Sequence, residues 1–125
     1  MGGFILRDKS ILLEMQRVYC TYEKDWMGFK ISKRNFLTFH HITKRCMKGL
    51  EDIDNGALLG KKSHELLNMI EIFDEDLYNR WNDLFMDINA SKCKISDFNM
   101  QRIYNLKSET LNYNNPKIIK KTKKI

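Results

Sequence analysis

Residues 35–42, Asn35-Phe36-Leu37-Thr38-Phe39-His40-His41-Ile42, have the aromatic and β-branched content of a strand. Residues 55–60, Asn55-Gly56-Ala57-Leu58-Leu59-Gly60, offer a turn signal, a short apolar strand and a closing glycine. Directly behind them, Lys61-Lys62-Ser63-His64-Glu65-Leu66-Leu67-Asn68-Met69-Ile70-Glu71 has the period of a helix. On it Leu67 and Ile70 can turn toward a core, while His64 and Asn68 are four apart and share a face. Residues 43–54 mix charge with Gly49, show little periodicity and read as a loop. The order strand, loop, strand, helix predicts an α+β fold with a small antiparallel β-hairpin plus helix, surrounded by additional helices.

The flanking helices follow from the same period. Ile11, Leu12, Met15, Val18, Tyr19 and Tyr22 predict a helix over about residues 9–22, with Asp8 as its N-cap. From Trp26 to Ile31 the chain is apolar with Gly28 inside it. Asp74 is suited to cap a helix whose apolar positions are Leu77, Tyr78, Trp81, Leu84, Phe85 and Ile88. A fourth helix is expected after Ser96, using Phe98, Ile103 and Leu106. Beyond Asn112, Tyr113-Asn114-Asn115-Pro116 breaks structure and opens a lysine-rich tail expected to be mobile. The predicted organisation is one domain, 1–112, with its core motif at 37–71, followed by the basic C-terminal tail 113–125.

Composition narrows the function classes. A chain of 125 residues with 42% hydrophobic residues suits one core. No apolar run is long enough to span a membrane, and Met1 to Asp8 lacks the basic-then-apolar order of a signal peptide. A soluble, cytoplasmic protein is the expectation. Cys20, Cys46 and Cys93 are odd in number and contain no CxxC pair, which argues against a disulfide framework and a tetrahedral zinc knuckle. The formal net charge of +6 hides a basic first part, residues 1–50, an acidic middle, 51–91, and a basic end, 92–125. Basic segments flanking an acidic one suit a polyanion such as nucleic acid, although basic tails also serve solubility alone.

All three histidines fall within residues 40–64. A hairpin packed on a helix can bring the strand-end pair close to His64. Neutral imidazoles are good ligands for divalent transition metals, and Asn68 can add an oxygen one turn beyond His64. Adjacent strand residues point to opposite sides, so one of His40 and His41 can bind metal while the other acts as a base.

Leu37-Thr38-Phe39-His40-His41-Ile42, Asn55-Gly56-Ala57-Leu58-Leu59, Ser63-His64 and Ile70-Glu71 together resemble the HNH endonucleases, which share the ββα-metal fold, and in particular small HNH proteins of Gram-positive bacteria and their phages. The likeness is best over residues 37–71. It implies that His41 is the general base that takes a proton from the attacking water. It implies that His40 and His64 ligate one divalent ion, Mg²⁺, Mn²⁺, Ni²⁺ or Zn²⁺, and that Asn55 braces the loop that aims the base. The implied reaction is hydrolysis of a DNA phosphodiester to leave a 5′ phosphate. Two positions depart from the family: Asn68 stands where many relatives carry a further His, and Lys48-Gly49 where they often carry Gly-Gly.

Each piece taken alone has an ordinary structural explanation, since paired histidines beside Phe39 and Ile42 can be hydrogen-bonded core residues and Asn-Gly is a common turn. Order and spacing taken jointly favour the nuclease site. Lys44, Arg45, Lys48, Lys61 and Lys62 flank it and are the candidates for phosphate contact, with the lysine tail adding non-specific affinity for DNA. The rival readings are a DNA-binding module of the same fold, impaired in catalysis by Asn68, and a structural interaction protein built on the Leu77 to Ile88 helix.

Overall fold

The computed structural model describes residues 2–43 and 53–112, with side chains from Ser10 onward. Its centre is the hairpin. Strand β1 (Leu37–His41) pairs antiparallel with β2 (Gly56–Gly60), placing Leu37 opposite Gly60, Thr38 opposite Leu59, Phe39 opposite Leu58, His40 opposite Ala57 and His41 opposite Gly56. The Gly-Ala-Leu-Leu-Gly run of β2 is apolar on both sides and is buried throughout, whereas β1 buries His40 alone. A short two-stranded ribbon is marginal by itself, so the helices around it supply the stability.

Four helices enclose the hairpin, and the fold is α+β. Helix α1 (Gly2–Tyr19) packs on both strands. Helix α2 (Lys61–Phe73) leaves β2 without a linker and folds back on the hairpin and along α3 (Glu75–Ser91), which also packs on β2. Helix α4 (Met100–Leu111) lies on α3. Leu67, Ile70, Leu77, Trp81, Phe85 and Ile88 carry the apolar faces of α2 and α3 into one core with Met15, Trp26 and Leu58. Among the described residues, no helix is long and apolar enough to cross a membrane.

Buried acceptors replace the caps that the sequence lacks. Gly60, at the N-cap of α2, has no side chain to offer. Asn35 Oδ1 instead accepts from the Lys62 amide at 2.8 Å, while Asn35 Nδ2 donates to the Lys30 carbonyl at 2.8 Å. A Cβ at position 60 would overlap the Asn35 carboxamide, which is why glycine stands there. Asp25 does the same for the preceding loop, accepting from the amides of Met27 and Phe29 with one oxygen and from Gly60 with the other. Burial pushes its carboxyl above the ordinary value, partly offset by the hydrogen bonds from these amides.

Several expectations need correction. The first helix runs from Gly2 to Tyr19, so Asp8 lies inside it and Tyr22 beyond it. Phe4 and Ile5 stand seven residues ahead of Ile11 and Leu12 and carry the helical period through Asp8. Cys20, with a positive φ of 49°, ends the helix. The apolar stretch 26–31 forms a turn with Gly28 at φ +85°, and the Trp26 amide donates to the Leu58 carbonyl at 3.0 Å, closing the free edge of β2. The capping by Asp74 is present, its side chain accepting from the Leu77 amide. The fourth helix begins at Met100, after a 3-10 turn at Ile95–Asp97, because Asn99 supplies the side-chain cap. Of the expected loop, 44–52 lies outside the described residues, as does the tail 113–125; Ile53–Asn55 form a 3-10 turn.

Candidate functional site

Strand alternation separates the histidine pair. His40 shares a face with Thr38, is only 5% exposed, and sits edge-on to Phe85 and Tyr78 of α3. His41 lies with Phe39, ring edge to face at 4.9 Å between centroids. His64 is in the first turn of α2, and the continuity of β2 into that helix delivers it to His40: their ring centroids are 5.1 Å apart, and His40 Nδ1 stands 3.4 Å from His64 Nε2.

The hydrogen-bond partners decide what those two facing nitrogens carry. Asn82 Oδ1, from α3, lies 2.8 Å from His40 Nε2 and can only accept, so Nε2 holds a proton and, in the neutral ring, Nδ1 carries the lone pair. The Thr38 hydroxyl gives its single hydrogen to the Leu59 carbonyl at 2.7 Å. It therefore accepts from His64 Nδ1 at 3.0 Å, which leaves the lone pair of His64 on Nε2. With both rings neutral two lone pairs face each other, and that arrangement repels unless a proton or a metal cation lies between them. A proton is disfavoured at His64, whose pKa is held below the ordinary histidine value first by burial and then by the charge of His41, with Glu65 opposing. Two imidazole nitrogens on one tetrahedral ion, each at the usual bond length, stand about 3.3 Å apart. These two nitrogens would supply part of the donor set of a divalent cation.

Neither a family model, nor a curated protein, nor a solved structure matches the chain. The chemistry of the site rests on its own geometry. Among the described residues no group of three or more His, Cys, Asp or Glu side chains is placed to hold a metal. His40 and His64 would supply two ligands, one fewer than the three protein ligands of a catalytic zinc site. Asn68 is exposed on α2 and takes no part in the hydrogen bonds that join the two histidines.

Asn55 grips the backbone just past His41. Its Oδ1 accepts from the Thr43 amide at 2.8 Å, its Nδ2 donates to the Thr43 carbonyl at 2.9 Å, and its own carbonyl accepts from the Ile42 amide at 2.9 Å. Lys61 and Lys62 are exposed at the start of α2; Lys44, Arg45 and Lys48 lie outside the described residues. Beside the site an open cleft of about 630 Å³ is lined by Ile42, Thr43, Glu71, Glu75, Asn82 and Asp83. Its three carboxylates make it a poor entry for a polyanion.

The reading of the sequence missed Thr38 and Asn82. A signal for Asn82 exists: Tyr78, Asn82, Phe85 and Asn89 form one row along α3, so two asparagines seven apart interrupt an apolar face. Asn89 is buried and donates to the carbonyls of Gly56 and Ile53, tying the start of β2 to the helix that carries Asn82.

Proposed function

We propose that the protein is a metal-dependent DNA endonuclease of HNH type, acting in the cytoplasm. The observation that carries the proposal is the approach of two ring nitrogens, His40 Nδ1 and His64 Nε2, to 3.4 Å. When bound there, a divalent ion supplies positive charge against the scissile phosphate and the departing 3′ oxygen.

The chain's own residues do the rest. Asn82 and Thr38 bond His40 Nε2 and His64 Nδ1, which would leave His40 Nδ1 and His64 Nε2 to hold a divalent ion. His41 removes a proton from the attacking water as the new P–O bond forms and the bond to the 3′ oxygen breaks, leaving a 5′ phosphate. Asn55, by its two-point grip on Thr43, limits the freedom of the segment that carries His41.

The test is incubation of the purified protein with supercoiled plasmid and Mg²⁺, Mn²⁺, Ni²⁺, Zn²⁺ or EDTA, with His41→Ala in parallel. Nicking or linearisation that needs metal and that the variant lacks is the expected result. If no metal supports cleavage while both proteins shift DNA at low salt, the DNA-binding module is correct. The exposure of Asn68, at the position where many HNH endonucleases carry a further His, favours that second reading.

A further inference from the structure

Among the described residues some cations are ion-paired and others are not, Arg17, Lys24, Lys94 and Lys107 being among the latter. Arg80 pairs with Glu109 and Asp76, Lys92 with Asp54, and Arg102 with Asp87. Lys30, Lys33, Arg34, Lys61 and Lys62 are all exposed, and none of them forms an ion pair among the described residues. These five are brought together by the Asn35 carboxamide, which bonds the Lys30 carbonyl and the Lys62 amide, and by the Lys61 amide donating to the Phe36 carbonyl at 2.8 Å. Like charges brought near one another repel, and Glu65, one turn from Lys61 and Lys62, offsets this only in part, so an anion lying over the five cations would be favoured. The Lys62 amide at the helix start is already taken by Asn35, so the attraction comes from the side chains.

Two apolar features accompany the cations. Phe36 is 49% exposed with the Lys61 ammonium over its ring at 5.8 Å. An apolar groove of about 310 Å³, lined by Phe29, Leu66, Met69 and Leu111, opens between Lys30 and Lys62. Cations that track phosphates, interleaved with an exposed ring and an apolar groove for bases, are the elements of a single-strand site. His64 lies within one turn of Lys61 and Lys62 on the same helix.

We propose that Lys30, Lys33, Arg34, Lys61 and Lys62 form the surface on which a single strand of nucleic acid lies, with Phe36 stacking on a base. The proposal rests on the nuclease reading in taking nucleic acid as the polyanion. It places the entry of the strand on the side of α2 away from the acidic cleft, so that the backbone reaches His64 from the cationic rim.

The experiment uses the full chain in EDTA, where no cleavage competes, and follows the fluorescence anisotropy of a labelled oligothymidylate as salt rises from about 50 to about 200 mM. The triple variant Lys33→Gln/Arg34→Gln/Lys62→Gln is expected to bind at least tenfold more weakly and to lower the salt slope by about 2, since each phosphate contact on a single strand contributes about 0.7. Phe36→Ala should weaken binding about tenfold with the slope unchanged. Arg80→Gln/Arg102→Gln should change neither. Thermal melting checks that every variant is folded. Wild-type affinity and slope in the triple variant overturn the proposal, and so does binding to phosphatidylserine vesicles in place of the oligonucleotide. If the oligonucleotide binds as expected but no metal supports plasmid nicking, the surface stands and the nuclease reading fails; if plasmid is nicked while the triple variant binds normally, the reverse holds.

Discussion

Behind His64 and in front of it the protein uses polar groups in opposite ways. Behind it, Thr38, His40, Asn82 and Asn89 are buried or half-buried, and each is hydrogen-bonded to named partners within the fold. In front, Lys30, Lys33, Arg34, Lys61 and Lys62 are exposed and have no ion pairs among the described residues. A buried hydrogen bond is costly to break because the orphaned partner cannot return to water, and this fixes orientation. An exposed cation contributes little singly and acts through the summed field. The wall behind His64 therefore sets geometry, and the rim in front of it sets attraction.

The deepest break in this comparison comes from His40→Ala or His64→Ala. Either should abolish metal-dependent nicking and remove the thermal stabilisation by Ni²⁺ or Zn²⁺, which in the wild type should reach about 2.7 kcal/mol at a hundredfold excess over Kd. Asn89→Ala, also in the wall, leaves the carbonyls of Gly56 and Ile53 without their donor. It should cost about 2 to 3 kcal/mol in urea unfolding.

Asn82→Leu sharpens the contrast, because it should spare the rim and weaken metal affinity by roughly 10- to 100-fold. Asn82→Asp keeps the acceptor and should retain affinity, and ¹⁵N chemical shifts of the His40 ring should report the Nε2–H tautomer in wild type and Asp variant but not in Leu. Equal affinity in all three would remove Asn82 from the site.

Smaller effects follow from charge. Because His64 is held below its ordinary pKa, the unfolded chain binds the extra proton first. Stability should therefore be full above about pH 6.5 and decline as pH falls below it toward the folded value. His64→Gln should flatten that part of a melting-temperature profile. Least of all, Arg80→Gln breaks exposed pairs with Glu109 and Asp76 and should cost no more than about 1 kcal/mol.

Much of the fold was legible because local patterns and tertiary contacts agree. The α3 stripe from Leu77 to Ile88 and its Asp74 cap needed only the helical period and a carboxylate that accepts an amide three residues on. The hairpin was legible for a similar reason, since β2 is a short apolar run between two glycines. The start of α1 was not: Asp8 is a good cap in type, but the apolar period continues upstream of it. Nor was the turn at 24–30, where a buried Asp25 ties down amides of an apolar stretch that has no period of its own.

The candidate site divides in the same way. The three histidines, Asn55 and the chain order that places His64 at the head of α2 are properties of the sequence. The two-residue period of a strand is enough to send His40 and His41 to opposite sides. Which nitrogens face each other is a different matter, decided by Thr38 across a rung of the hairpin and by Asn82, 42 residues away from His40. Gathering Lys30, Lys33 and Arg34 beside Lys61 and Lys62 likewise depended on Asn35 accepting from the Lys62 amide, 27 residues on, because Gly60 has no side chain to do so. Periodicity reports what each residue does to its own segment. A tautomer or a patch of unpaired charge depends on which atoms of distant segments meet, and packing alone determines that.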